Sequence, residues 1–69
     1  MSDKARILQH LQENGSITPL EALEQYGCYR LGARIWDLRH DGYNINTTLV
    51  DGVDRNGEPM RYARYTMAK

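Results

Sequence analysis

Thr18-Pro19-Leu20-Glu21-Ala22-Leu23-Glu24-Gln25-Tyr26-Gly27-Cys28-Tyr29-Arg30-Leu31-Gly32-Ala33-Arg34-Ile35-Trp36-Asp37-Leu38-Arg39-His40 decides the fold. Thr18 is placed to cap a helix, Pro19 suits the first helical position, and Glu21 at N3 closes a capping box with Thr18. This helix runs to about Tyr26 and is expected to present Leu20, Leu23 and Tyr26 inward. Gly27 stops it after barely two turns. A further helix is predicted from about Tyr29 to His40. Leu31, Ile35 and Leu38 stand on it at i, i+4 and i+7, which gives it one apolar stripe. Asp41-Gly42 ends it. Only a residue or two around Gly27-Cys28 then separates the two helices, a tight glycine turn between short helices.

Upstream, Asp3–Glu13 reads as a first helix with Ile7, Leu8 and Leu11 on one face. Ser2 or Asp3 can cap it, and Asn14-Gly15 terminates it. Ser16-Ile17-Thr18 is a short extended link. Downstream, residues 43–50 alternate in character, with Ile45, Thr47 and Leu49 on one side. Residues 51–59 form a loop rich in turn residues, including the pair Asn56-Gly57. Met60–Met67 reads as the return strand, with Ala63, Tyr65 and Met67 toward the core and Tyr62 and Arg64 opposite. Three helices followed by a hairpin make an α+β fold, a winged helix-turn-helix with a two- or three-stranded antiparallel wing. Ile17 can supply the third, very short strand. A lone hairpin is marginal in water, so the wing must pack on the helices.

The chain has 69 residues, nine basic and nine acidic, 41% hydrophobic and 26% charged. That length fits one domain, residues 1–69, and the composition is that of a soluble globular chain. Stability should be modest, roughly 3–10 kcal/mol. The core is too small for the deep cleft and rigid shell of a self-contained enzyme. No apolar run can span a bilayer, and Met1–Arg6 lacks the long apolar segment of a secretory signal. With one cysteine there is no internal disulfide, and a reducing, cytoplasmic setting is expected. His10, Cys28 and His40 have no metal-ligand spacing, so neither a metal nor a cofactor is expected. Charge is uneven along the chain: residues 1–29 carry −2 and residues 30–69 carry +2. The second half is biased to Arg, whose planar fork suits phosphate oxygens and guanine edges. The same residues also allow plain solvated Arg–Asp pairs.

The residues also resemble a known group. Gly15-Ser16-Ile17-Thr18-Pro19-Leu20-Glu21-Ala22-Leu23-Glu24, Gly27-Cys28-Tyr29-Arg30-Leu31, Ala33-Arg34-Ile35-Trp36-Asp37-Leu38-Arg39, Gly42-Tyr43-Asn44-Ile45 and Arg61-Tyr62-Ala63-Arg64-Tyr65 are similar to the small helix-turn-helix proteins of bacteriophages and prophages. The likeness runs from about Ala5 to Met67. It implies a winged-helix fold, a role in binding DNA and a phage or prophage setting, with no catalytic residues and no cofactor. Gly32 departs from the small polar residue, such as Ser, common at that place in the family, and offers no side chain for a base contact.

With Leu31, Ile35 and Leu38 inward, the outward set is Tyr29, Arg30, Gly32, Ala33, Trp36 and Asp37, with Arg34 at the flank. Arg30, near the helix start, is the best candidate for a bidentate guanine contact, for ~1–3 kcal/mol of discrimination. Gly32 and Ala33 are small enough to let the backbone approach DNA closely. Arg34 reads either as a DNA contact or as a structural residue pairing with Asp37. Trp36 reads either as a half-buried ring under the wing or as an aromatic anchor in an interface. Arg39 and His40 suit the negative end of the helix dipole and can equally touch phosphate. Arg55 at the wing tip suits a minor groove, although Asp51, Asp54 and Glu58 flank it. Arg61 and Arg64 fit phosphate contacts better than base readout.

The function expected is DNA binding by a small transcriptional regulator, with helix 29–40 in the major groove and the 51–59 wing at the backbone or minor groove. The partner is double-stranded DNA. Useful affinity calls for a homodimer, tandem copies or a host partner. A competing reading is a winged-helix interaction module that binds and modulates a host protein, which the zero net charge favours.

Overall fold

The computed structural model describes residues 2–68. Met1 and Lys69, the latter counted in the basic half above, lie outside the described residues. Helix α1 spans Asp3–Asn14 and strand β1 Ser16–Ile17. Helix α2 spans Pro19–Tyr26 and α3 Leu31–His40, followed by strands β2, Ile45–Val53, and β3, Pro59–Met67. The strands form one antiparallel sheet in the order β1-β3-β2. The α+β winged architecture read from the sequence is the one observed, including the two-residue strand at Ile17.

Local chemistry sets the boundaries. Ser2 Oγ accepts the Ala5 N–H, and Gly15 closes α1 in the left-handed conformation. The capping box forms: Thr18 Oγ1 accepts the Glu21 N–H at 3.3 Å, and the Glu21 carboxylate accepts the Thr18 N–H at 3.0 Å. One buried cluster unites all the helices with the sheet: Ile7 and Leu11 from α1, Ile17, Ala22, Cys28, then Leu31, Ile35 and Leu38 from α3, and Ile45.

Three expectations are corrected. First, α2 does not bury Leu20 and Leu23. Its inward residue is Ala22, with Tyr26 half-buried one turn later, while Leu20 is 62% exposed. Eight residues offer only one narrow packing stripe, and Tyr26 fixes it by hydrogen-bonding through its hydroxyl to His10 Nδ1 at 2.8 Å. Second, α3 starts at Leu31, not Tyr29, so the turn runs through Gly27, Cys28, Tyr29 and Arg30. The Cys28 N–H donates to the Ala22 carbonyl at 3.1 Å and its side chain is buried, which anchors the turn before the helix can begin. Third, the wing loop is shorter than residues 51–59. The strands pair without interruption from Ile45↔Met67 to Val53↔Pro59, leaving a turn at residues 54–58. Asp54 Oδ1 holds that turn by accepting the N–H groups of Asn56, at 2.8 Å, and Glu58, at 3.0 Å.

The strand faces are as expected. Thr47 lies opposite Tyr65 and Leu49 opposite Ala63, while Thr48 opposes Arg64 and Val50 opposes Tyr62 on the other face. Only the base of the wing is covered: Ile45 is buried, whereas Leu49 is 65% exposed.

Candidate nucleic-acid interface

Arg30 occupies the N-cap of α3, with φ −118° and ψ 54°. Its carbonyl accepts the N–H groups of Ala33 and Arg34, at 3.1 and 3.2 Å. The side chain is exposed, and among the described residues it forms no salt bridge. Tyr29 beside it is 87% exposed. Gly32 is also exposed, and Ala33 is half-buried. A Cβ built on Gly32 would meet only the Tyr65 hydroxyl, at 3.7 Å. Packing therefore does not demand a glycine there.

The remaining arginines of this helix are committed to partners. Arg34 is half-buried and reaches Asp37 at 3.3 Å, the i, i+3 pair foreseen as one of its two readings. Arg39 forks onto the Ile45 carbonyl through Nε, at 2.9 Å, and Nη2, at 2.7 Å, and donates to Thr47 Oγ1 at 2.9 Å. It anchors the wing to α3. The sequence suggested a dipole or phosphate role, because nothing local marks a side chain six positions from the carbonyl it will bind.

Trp36 is 59% exposed, so the wing does not cover it. One residue past buried Ile35, it points about 100° round the helix. Its ring stacks on the His40 imidazole with centroids 3.6 Å apart, and His40 Nδ1 lies 3.0 Å from the Trp36 carbonyl. The exposed surface of α3 thus carries small and aromatic residues beside Arg39, and Arg30 at its start has no salt-bridge partner among the described residues.

A model of the winged helix-turn-helix domain family matches residues 2–69. The chain belongs to that family. No curated protein and no solved structure matches it.

In winged helix-turn-helix terms, α2 and α3 form the motif and β2–β3 the wing, a DNA-binding fold. Arg55 sits exposed in the wing turn, and Arg64 is exposed on β3; neither forms a salt bridge among the described residues. Arg61 pairs across the strands with Asp51 at 3.0 Å. Arg61 and Arg64 stand three residues apart on one strand, so they project from opposite faces of the wing. Their side chains do not share a surface. Asp54, expected only as a repelling neighbour of Arg55, is the residue that shapes the turn presenting it. Sequence reasoning also missed an apolar cleft of about 470 Å³ between α2 and the outer wing, lined by Pro19, Leu20, Val53, Met60 and Tyr62. The Tyr62 ring lies over Gly52, where a Cβ would come within 3.1 Å of it.

Proposed function

We propose that this domain binds double-stranded DNA with α3 in the major groove and the outer wing at the backbone or minor groove, as a small transcriptional regulator of phage or prophage origin acting in the cytoplasm of a bacterial host. The observation that carries the reading is Arg30, exposed and without a salt bridge among the described residues, at the start of α3 beside the small residues Gly32 and Ala33. Among the described residues no side chain caps that helix end, which keeps its amide groups available to a phosphate. Tyr29 in the turn before α3 and Trp36 on the helix add exposed aromatic surface. Arg34 contributes from the flank while paired with Asp37. Arg55 extends the contact from the wing tip, and Arg61 and Arg64 reach backbone phosphates from its two faces.

Selection from a randomised duplex pool tests this. Wild type should enrich a short motif containing guanine, and Arg30→Ala should lose the preference at that base, a discrimination of roughly 5–150-fold. Enrichment of no motif by wild type would contradict sequence-specific binding.

A second reading, a module that binds a host protein, is favoured by the apolar character of Tyr29, Trp36 and the cleft beside Leu20. Retention of a defined host protein by wild type, lost on Trp36→Ala, together with no shift of duplex DNA, would select it.

A further inference from the structure

The sheet order leaves one edge of β2 without a partner strand. The direction of its backbone groups follows from the ladder. The Ala68 N–H donates to the Asn44 carbonyl, and the Asp54 N–H donates to the Glu58 carbonyl. Even-numbered residues of β2 therefore bond to β3, and the N–H and C=O groups of residues 45, 47, 49, 51 and 53 point away from it. Arg39 occupies the first of these, the Ile45 carbonyl. From Thr47 to Val53 the edge is open.

Natural sheets usually protect such an edge with charged side chains, Lys above all, with Pro or with a bulge. Of these, residues 47–53 carry only Asp51. Register is unbroken over nine residues, and no Pro or Lys falls between 47 and 53. The single charge, Asp51, is neutralised by Arg61 of the same chain at 3.0 Å. Leu49 and Val53 lie exposed along it.

We propose that β2 pairs antiparallel with β2 of a second copy, joining two sheets into one of six strands. An antiparallel edge is self-complementary, so two identical copies satisfy it about a two-fold axis. Arg39 blocks pairing at Ile45, and the longest symmetric overlap of residues 47–53 centres on Val50. Thr47 then faces Val53 of the other copy and Leu49 faces Asp51, giving about eight new backbone hydrogen bonds. The wing turn, net acidic with Asp54 and Glu58 against Arg55, is carried toward the end of the other copy's β2 where Arg39 sits, so opposite charges meet. Both copies present their α3 side on the same side of the joined sheet. Their Ile45 positions stand about ten residues apart, roughly 34 Å, close to one turn of B-DNA. The pairing stands without DNA; only the half-site spacing rests on the DNA reading.

Sedimentation equilibrium of the full chain without DNA tests it, and keeps its failure distinct from failure of DNA binding. Wild type should approach the mass of two chains as concentration rises. Leu49→Pro removes an N–H that β3 does not use, so the hairpin tolerates it. It should weaken dimerisation about a hundredfold, from two lost hydrogen bonds at roughly tenfold each. Should Leu49→Pro lose its helical circular dichroism, Val50→Cys decides: oxidation should cross-link it far faster than Asn46→Cys, because Val50 faces itself across the axis. A one-chain mass at every concentration, or equal cross-linking at the two positions, would overturn the proposal.

Discussion

The guanidinium of Arg39 closes on the carbonyl of Ile45 through two nitrogens, at 2.9 and 2.7 Å, and thereby ties the last turn of α3 to the first residue of the wing. A planar fork can do this and an ammonium cannot. Arg39→Lys should keep the charge yet lose about 1–2 kcal/mol of stability, read from urea unfolding. Arg39→Ala should cost slightly more and raise hydrogen exchange at the base of the wing. Unchanged stability in both variants would remove Arg39 from the account of how the wing is held.

Gly32 separates folding from function. A Cβ at this position meets nothing closer than 3.7 Å, and alanine is the better helix former. Gly32 is the second residue of α3, so Gly32→Ala should stabilise the fold, by less than the about 0.8–1.0 kcal/mol of a helix interior. If α3 approaches DNA closely at this point, the same variant should bind duplex more weakly despite its higher melting temperature. A variant both more stable and equally tight would show that position 32 makes no close approach.

His10 and Tyr26 form a hydrogen bond between α1 and α2, and His10 Nε2 lies 3.8 Å from the Glu21 carboxylate. His10 is buried, its Nδ1 is 2.8 Å from the Tyr26 hydroxyl, and its Nε2 has no hydrogen-bond partner among the described residues. Tyr26→Phe deprives the ring of its one bond. A loss of about 1–3 kcal/mol is expected in thermal or urea unfolding, without change in the contacts of α3.

Lys4 and Asp41 join the start of α1 to the end of α3. The hydrogen bond and charge of Asp41 raise the Lys4 pKa above its ordinary 10.5. The sign follows: a raised folded-state value means the pair stabilises fully below 10.5, and the contribution disappears as pH climbs through the raised value. Wild type should therefore lose thermal stability faster than Lys4→Met across that alkaline range, the two curves converging at its upper end. Parallel curves would show that the pair contributes nothing, as many exposed pairs do.

What could be read from the residues divides along physical lines. Short-range chemistry was legible: the Thr18–Glu21 capping box, the left-handed stops at Gly15 and Gly27, and the Leu31, Ile35, Leu38 stripe all depend on neighbours within a turn or two. Long-range choices were not. Leu20 and Leu23 look like core residues, but Tyr26 and Ala22 turn α2 so that Leu20 meets the outer wing instead. The late start of α3 depends on Cys28 finding a pocket made by other elements. Arg39 reads as an end-of-helix cation until the sheet places Ile45 beneath it. In the candidate site, Arg30 and Arg55 are exposed and form no salt bridge among the described residues, while Arg34 and Arg61 carry partners that spacing alone left open.

The most direct test of DNA binding through α3 is a fluorescence anisotropy titration of duplex DNA over a range of salt. Arg55, Arg61 and Arg64 offer about three phosphate-reaching cations, with Arg30 given to a base, so the logarithm of affinity should fall against the logarithm of salt with a slope of about −3 per copy. Arg55→Ala, expected to reach only backbone, should lower that slope by about one. No binding at ~50 mM salt, or binding that does not respond to salt, would contradict the account.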